Sequence, residues 1–311
     1  IDIFTITASG YPFLLKILIL LSSPNSFFFF RFANVIFGTL TILLTIAIAR
    51  KLFDRRIALL AGLILALYRP LILSCGLMLT ETFSSFLMTA VFYCLVLLLN
   101  RFSPLPIMML VPSTVWLLHV RPNSATLLLL FPLVGFLSAN TKKKRLINIL
   151  VMLLVSVVVL LFTLPVSYQV SQKADKISFI APTGRLNLLI GHNIYANGTW
   201  VNTRLLPKDE RDPFEFMKEY YAQEIFWLTF QKIKLLFEPR IFPWKMKDDY
   251  YNTPLGNTLG LYLIQATDLW LLSGLGFILS LKKNKRGTLL LISGIGLYLI
   301  IFLLFFAESR F

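Results

Sequence analysis

The 311-residue chain is 57% hydrophobic and only 14% charged, with a mean hydropathy of +0.76. A water-soluble domain of this size carries about a quarter charged residues, so this composition excludes one that covers itself with polar surface and makes lipid the solvent. Backbone that crosses lipid must satisfy its own hydrogen bonds, and continuous Leu/Ile/Phe-rich runs without period-two alternation select helices over a barrel.

In chain order, the apolar runs predict spans over 32–49, 57–72, 80–99, 105–120, 124–140, 147–165, 257–281 and 287–306, each of a length suited to the roughly 30 Å hydrocarbon core. The expected fold is all-α, with about eight transmembrane helices. Residues 1–165 form an N-terminal membrane region, 166–256 a large external loop with surface helices, and 257–311 a C-terminal two-helix region. Tyr11 to Leu21 is apolar but short, and is read as an interfacial helix with Phe27 to Phe30 as its aromatic anchor.

Charge supplies the topology. Thirteen of the thirty basic residues fall in alternate short connections: Arg50, Lys51, Arg55 and Arg56, then Arg101, then Lys142 to Arg145, then Lys282, Lys283, Lys285 and Arg286. The loop 166–256 is nearly neutral, with 12 basic and 10 acidic residues. The net charge of +15 therefore reads as a positive-inside signal, with no nucleic-acid partner expected. Both termini and the long loop then face outward from a plasma (bacterial inner) membrane. The chain starts at Ile1 and stops at Phe311 directly after a span. The expectation is a fragment lacking at least one N-terminal helix and some C-terminal sequence.

Residues able to do chemistry gather at the outer helix ends. Glu81 is the sole acid between Asp54 and Asp175. It suits a helix N-terminus as a cap, and a lone carboxylate at membrane depth is equally a functional candidate. Arg121, in His119-Val120-Arg121-Pro122-Asn123, either snorkels or grips a lipid phosphate with its guanidinium fork. Arg69 is read as snorkelling, and His119 as a packed histidine. Within the loop, Gly184-Arg185-Leu186-Asn187 and Gly191-His192-Asn193 suit either a tight polar turn at a sugar site or a packed closure of the external domain. Pro213 to Phe237 has helical periodicity with aromatic and basic residues, and is read as lying on the membrane surface.

The order of these features resembles the GT-C superfamily of polyprenyl-phosphate-sugar-dependent glycosyltransferases. The likeness is to the glycosyltransferase family 39 branch that includes aminoarabinose and rhizobial galacturonosyl transferases. It rests on Gly10-Tyr11-Pro12-Phe13-Leu14-Leu15, Arg31-Phe32-Ala33-Asn34-Val35 and Lys51-Leu52-Phe53-Asp54-Arg55-Arg56. Thr80-Glu81-Thr82, Arg121-Pro122-Asn123, the Gly/Asn elements of the loop and the terminal Glu308-Ser309-Arg310-Phe311 complete it.

The resemblance implies a hexosyl- or pentosyltransferase moving a sugar from a lipid-linked phosphate donor to a glycan, lipid or protein acceptor. By position it implies Glu81 as the catalytic or metal-supporting acid, Arg121 and Arg310 as donor-phosphate contacts, and Asn187, His192 and Asn193 as site lining. In some members a divalent metal ion binds the donor phosphate. The family's acidic first outer loop has no counterpart here, since Asp2 lies only ten residues before Pro12. Two other classes compete: an oligosaccharide ligase or polymerase, and a polytopic transporter or flippase. The transporter would need charges buried in mid-span, where only Asp268 lies.

Overall fold

The computed structural model describes residues 8–21, 27–77, 79–174, 177–181, 184–192, 196–197, 222–237 and 266–304. Among them every regular element is a helix, as expected of an all-α membrane protein. Three helices are long and apolar enough to cross a membrane: α2 (Phe27–Leu52), α5 (Thr80–Asn100) and α8 (Lys142–Ala174). Shorter apolar helices stand between them, namely α1 (Gly10–Leu21), α3 (Arg55–Ala66), α4 (Arg69–Cys75), α6 (Pro104–Val120), a 3-10 helix (Pro122–Leu129) and α7 (Leu130–Leu137). Then follow α9 (Gly184–Gly191), α10 (Ala222–Phe237), α11 (Ala266–Lys283) and α12 (Lys285–Leu304).

Proline explains where continuous apolar runs divide. The run expected as one span over 57–72 splits into α3 and α4, with Tyr68 extended (φ −74°, ψ 107°) and Pro70 in the first turn of α4. There its missing N–H has no intrahelical acceptor to lose. The run at 124–140 likewise begins as a 3-10 helix after Pro122 and becomes α7. Pro165, by contrast, sits inside α8, which continues nine residues beyond the expected end of its span. Part of the run at 257–281 lies outside the described residues; its described part is helix α11.

α5 forms the centre of the bundle. Phe83, Leu87, Val91, Leu95 and Leu98 recur at three- and four-residue spacing and are all 5% exposed or less. They meet Leu110 and Leu117 of α6 and Leu130, Phe131 and Val134 of the following segment. α2 packs on α5, and α8 on α6 and α7. Gly135 makes the α7–α8 contact possible, because a Cβ there would stand 2.7 Å from the Asn148 carbonyl oxygen. Several buried threonines bond within their own helices, as Thr41 does to the Phe37 carbonyl and Thr114 to that of Leu110.

Alternate connections converge at one end, here called the basic side. Asp54 caps α3 by accepting from the Ile57 N–H at 2.9 Å, and it also receives the Lys283 ammonium. Asn284 donates to the Leu52 carbonyl, and Arg286 to the Asn140 side chain. The grouping of basic connections inferred from charge is therefore also a physical junction. At the opposite end, the loop side, stand the start of α5, the end of α6 and the start of α9.

Candidate functional site

On the loop side α5 begins at Thr80, after the extended Leu79, and places Glu81 in its first turn where the helix dipole favours an anion. α6 stops because Pro122 disfavours helical backbone at the residue before it. Arg121 is accordingly extended (φ −138°, ψ 90°), with its N–H closing α6 on the Leu117 carbonyl at 2.7 Å. These two helix ends bring together side chains 40 positions apart. The Arg121 Nη2 lies 3.3 Å from Glu81 Oε1 and donates to Thr80 Oγ1 at 3.5 Å. Both side chains are largely buried, at 16% and 14% exposure.

The pair leaves one carboxylate oxygen spare. Glu81 Oε2 is buried and has no hydrogen-bond partner among the described residues; neither has Ser124 Oγ, three residues beyond Arg121. Buried acceptors without partners are rare in stable folds, and an orphaned carboxylate oxygen marks a place where a proton or donor group can be received. Around the pair lie two residues quoted above only within motifs. Asn34, 2% exposed, donates to the Leu77 carbonyl at 2.7 Å. Tyr11 is buried with its hydroxyl against the Asn34 side chain and within electrostatic reach of Glu81.

Next to this corner, α1, α6 and α8 enclose an apolar cavity of about 660 Å³, lined among others by Phe13, Pro112, Trp116, Phe162 and Val166. α1 seats there without a side chain in the way: a Cβ on Gly10 would stand 2.6 Å from the His119 carbonyl carbon, and the Gly10 carbonyl accepts from Trp116 Nε1. His119 lines this cavity, with Nδ1 2.7 Å from the Val115 carbonyl. That arrangement fits the packed histidine expected.

His192 belongs to a second cluster. It is 4% exposed at the end of α9, with Nδ1 3.3 Å from the Leu188 carbonyl. Its Nε2 stands 3.4 Å from Nζ of Lys232, which also donates to the Leu303 carbonyl at 3.0 Å. An ammonium can only donate, so the imidazole is the neutral tautomer with its proton on Nδ1. Burial, and then the Lys232 charge, pull the His192 imidazole down to about 4, and burial pulls the Lys232 ammonium down to about 8. Lys232 is wholly buried and the motifs did not point to it. The usable signal was its place in α10, on the side of Leu228 and Leu235 and away from the aromatic residues.

The structure thus joins Glu81 to Arg121 and puts His192 with Lys232. Asn187 is half-buried on α9, five residues before His192. Asn193 and Arg310 lie outside the described residues. As to a divalent ion, Glu81 is a single carboxylate already facing a guanidinium, and among the described residues no group of three or more His, Cys, Asp or Glu assembles. A second cation beside Arg121 would be repelled, so the described residues do not fit a metal centre.

The family model of the dolichyl-phosphate-mannose-protein mannosyltransferases matches residues 8–168. That segment runs from α1 into α8 and contains Tyr11, Asn34, Glu81 and Arg121, but neither His192 nor Lys232. No curated protein and no solved structure matches the chain.

Proposed function

The chain belongs to the dolichyl-phosphate-mannose-protein mannosyltransferase family, and from that premise we propose a specific reaction at the Glu81–Arg121 corner. Membership makes it a membrane glycosyltransferase of GT-C type. The proposed reaction moves a hexose or pentose from a polyprenyl-phosphate donor to a glycan, lipid or protein acceptor on the loop side, outward from the plasma membrane.

One observation carries this reading: a largely buried carboxylate holds a guanidinium by one oxygen, and its other oxygen has no hydrogen-bond partner among the described residues. In the transfer, an acceptor hydroxyl attacks the anomeric carbon while the bond to the phosphate oxygen breaks. Negative charge grows on the leaving phosphate, and the planar, permanently charged Arg121 fork is suited to it. Glu81 Oε2 is then placed either to take the acceptor proton or to orient the hydroxyl.

One further feature supports the reading, and two assignments follow from it. The apolar cavity between α1, α6 and α8 adjoins α6 just before Arg121 and suits an isoprenoid chain. Arg310 supplies a second guanidinium in the segment after α12. Asn187 and His192, with Asn193 next in sequence, are assigned by the same reading to the sugar's surroundings. The test is transfer from radiolabelled polyprenyl-phosphate sugars in reconstituted vesicles, comparing the unaltered chain with Glu81→Gln and Arg121→Met. Transfer by both variants at the unaltered rate sinks the assignment.

A further inference from the structure

The sugar-transfer step uses Glu81 and Arg121 and leaves two buried polar side chains of their corner idle, Tyr11 on α1 and Asn34 on α2. α1 brings Tyr11 there by packing its backbone on the last turn of α6. A Cβ on Gly10 would stand 2.8 Å from the Val120 backbone nitrogen, one residue before Arg121. α2 brings Asn34 to the approach of α5. Asn34 Nδ2 donates to the carbonyl of Leu77, four residues before Glu81, and the Asn34 backbone carbonyl accepts from Cys75 Sγ at 3.6 Å.

The Leu77 carbonyl can only accept, so it fixes which end of the Asn34 amide faces it and leaves that nitrogen a second hydrogen. The Tyr11 hydroxyl lies against this side chain and within electrostatic reach of Glu81. A phenol oxygen that accepts from an amide keeps its own hydrogen to give. At the same corner, Glu81 Oε2 is a buried acceptor with no hydrogen-bond partner among the described residues. A neutral donor and an anionic acceptor together suit an alcohol, which gives one hydrogen and takes another. A phosphate in that place would meet the repulsion of the carboxylate.

Resting on the transfer reading, we propose that Tyr11 is a catalytic residue that grips the acceptor alcohol, with Asn34 as its positioning residue. The acceptor oxygen gives its hydrogen to Glu81 Oε2 and takes one from the Tyr11 O–H. One lone pair remains, and the two bonds aim it at the anomeric carbon. A hydroxyl held by Glu81 alone would turn about that single bond, so the second bond supplies orientation. As the new C–O bond forms, the acceptor proton passes to Glu81, and the electron pair of the old C–O bond leaves on phosphate. Tyr11 keeps its proton throughout. The same two contacts select an alcohol over a protonated amine, which has no lone pair to receive the Tyr11 hydrogen.

The test uses the full chain in phosphatidylcholine/phosphatidylglycerol vesicles. A panel of radiolabelled polyprenyl-phosphate hexoses and pentoses serves as donor, and detergent-extracted host membranes supply the acceptor. Label joined to acceptor and label released as free sugar are counted separately. Tyr11→Phe is expected to lower transfer about 10-fold, the scale of one lost neutral hydrogen bond. It should raise the half-saturating amount of acceptor but not of donor, and send a larger share of the cleaved donor to water. That share is counted per donor cleaved, so it does not depend on how much of the chain folds. Asn34→Ala should give the same changes, and little more when added to Tyr11→Phe, as expected of a residue acting through it. Unaltered transfer and product share in Tyr11→Phe overturn the inference. So does lost transfer with half-saturation and share both unchanged, which marks a structural role. Fully additive losses overturn the part given to Asn34. Glu81→Gln is run alongside: if it loses transfer while Tyr11→Phe does not, this inference alone fails. Absence of transfer by the unaltered chain with every donor, or unaltered transfer by both Glu81→Gln and Arg121→Met, counts against the transfer reading itself.

Discussion

Glu81 and Arg121 face one another at 3.3 Å because two helices, α5 and α6, have their loop-side ends at the same level. Removing Arg121 takes the counter-charge from the largely buried Glu81, a change on the order of 3 kcal/mol for a buried pair. The double variant Glu81→Gln/Arg121→Met is therefore expected to recover most of the thermal stability lost by either single change. Transfer is expected to stay at least about 100-fold down in all three, the scale of a lost acid–base or charge-stabilising group. Stability recovered together with activity would reduce the pair to a structural role.

The neutral His192 gives a pH prediction. Its folded-state value of about 4 lies below the ordinary 6.5, so the folded chain binds fewer protons than the unfolded chain in that window. Its contribution to stability is whole above about 6.5 and is lost as pH falls to about 4. Thermal midpoints of the detergent-solubilised protein should fall across this range. His192→Gln, which keeps an acceptor for Lys232 but cannot titrate there, should flatten the slope; an unchanged slope points to other groups.

Lys232→Met separates charge from length. A buried ammonium bonded only to neutral acceptors carries a desolvation cost, so this variant is expected to match the unaltered chain in stability or exceed it by roughly 1 kcal/mol. Losing the Lys232 charge also removes one of the two causes that hold His192 low. The acid loss of stability should then be smaller and level off at a higher pH, and a loss of unchanged depth shows that burial alone governs His192.

Gly135→Ala forces a methyl against backbone of α8, which cannot swing away as a side chain could. A loss of about 1–3 kcal/mol is expected from such overpacking, read as a lowered thermal midpoint. Gly274→Ala is the matched control, since a Cβ there meets nothing within 4 Å.

Topology is checked by reagent access. With Cys75 and Cys94 replaced, an impermeant maleimide added outside is expected to label Asn197→Cys and not Lys143→Cys; the reverse pattern inverts the orientation.

Much of this architecture was legible before any coordinates. Apolar runs marked the helices, and the alternating basic connections anticipated the junction of Asp54, Lys283, Asn140 and Arg286. The division at Tyr68 was harder to foresee, because Leu, Ile and Tyr on both sides of Pro70 keep hydropathy high through the break. Pro165 misled in the opposite sense: lipid leaves a helix few alternatives to continuing through a proline. Glu81 and Arg121 could be named and put at the same end from sequence, but only helix packing sets their separation. Lys232 looked like one more loop cation. Its burial depends on α12, some seventy residues later, and local sequence carries no trace of that partner.

The Asp54–Lys283 contact spans 229 residues of chain. Its two halves leave the ribosome far apart in time, roughly 10 to 50 s at ordinary elongation rates. During that interval the capping carboxylate of α3 waits without its ammonium, and the early helices must hold their places in the bilayer through α2, α5 and α6 alone. Closing the basic side thus waits for α11, which carries Lys283 at its end. The contact therefore joins a helix cap formed early to a cation made after most of the described helices.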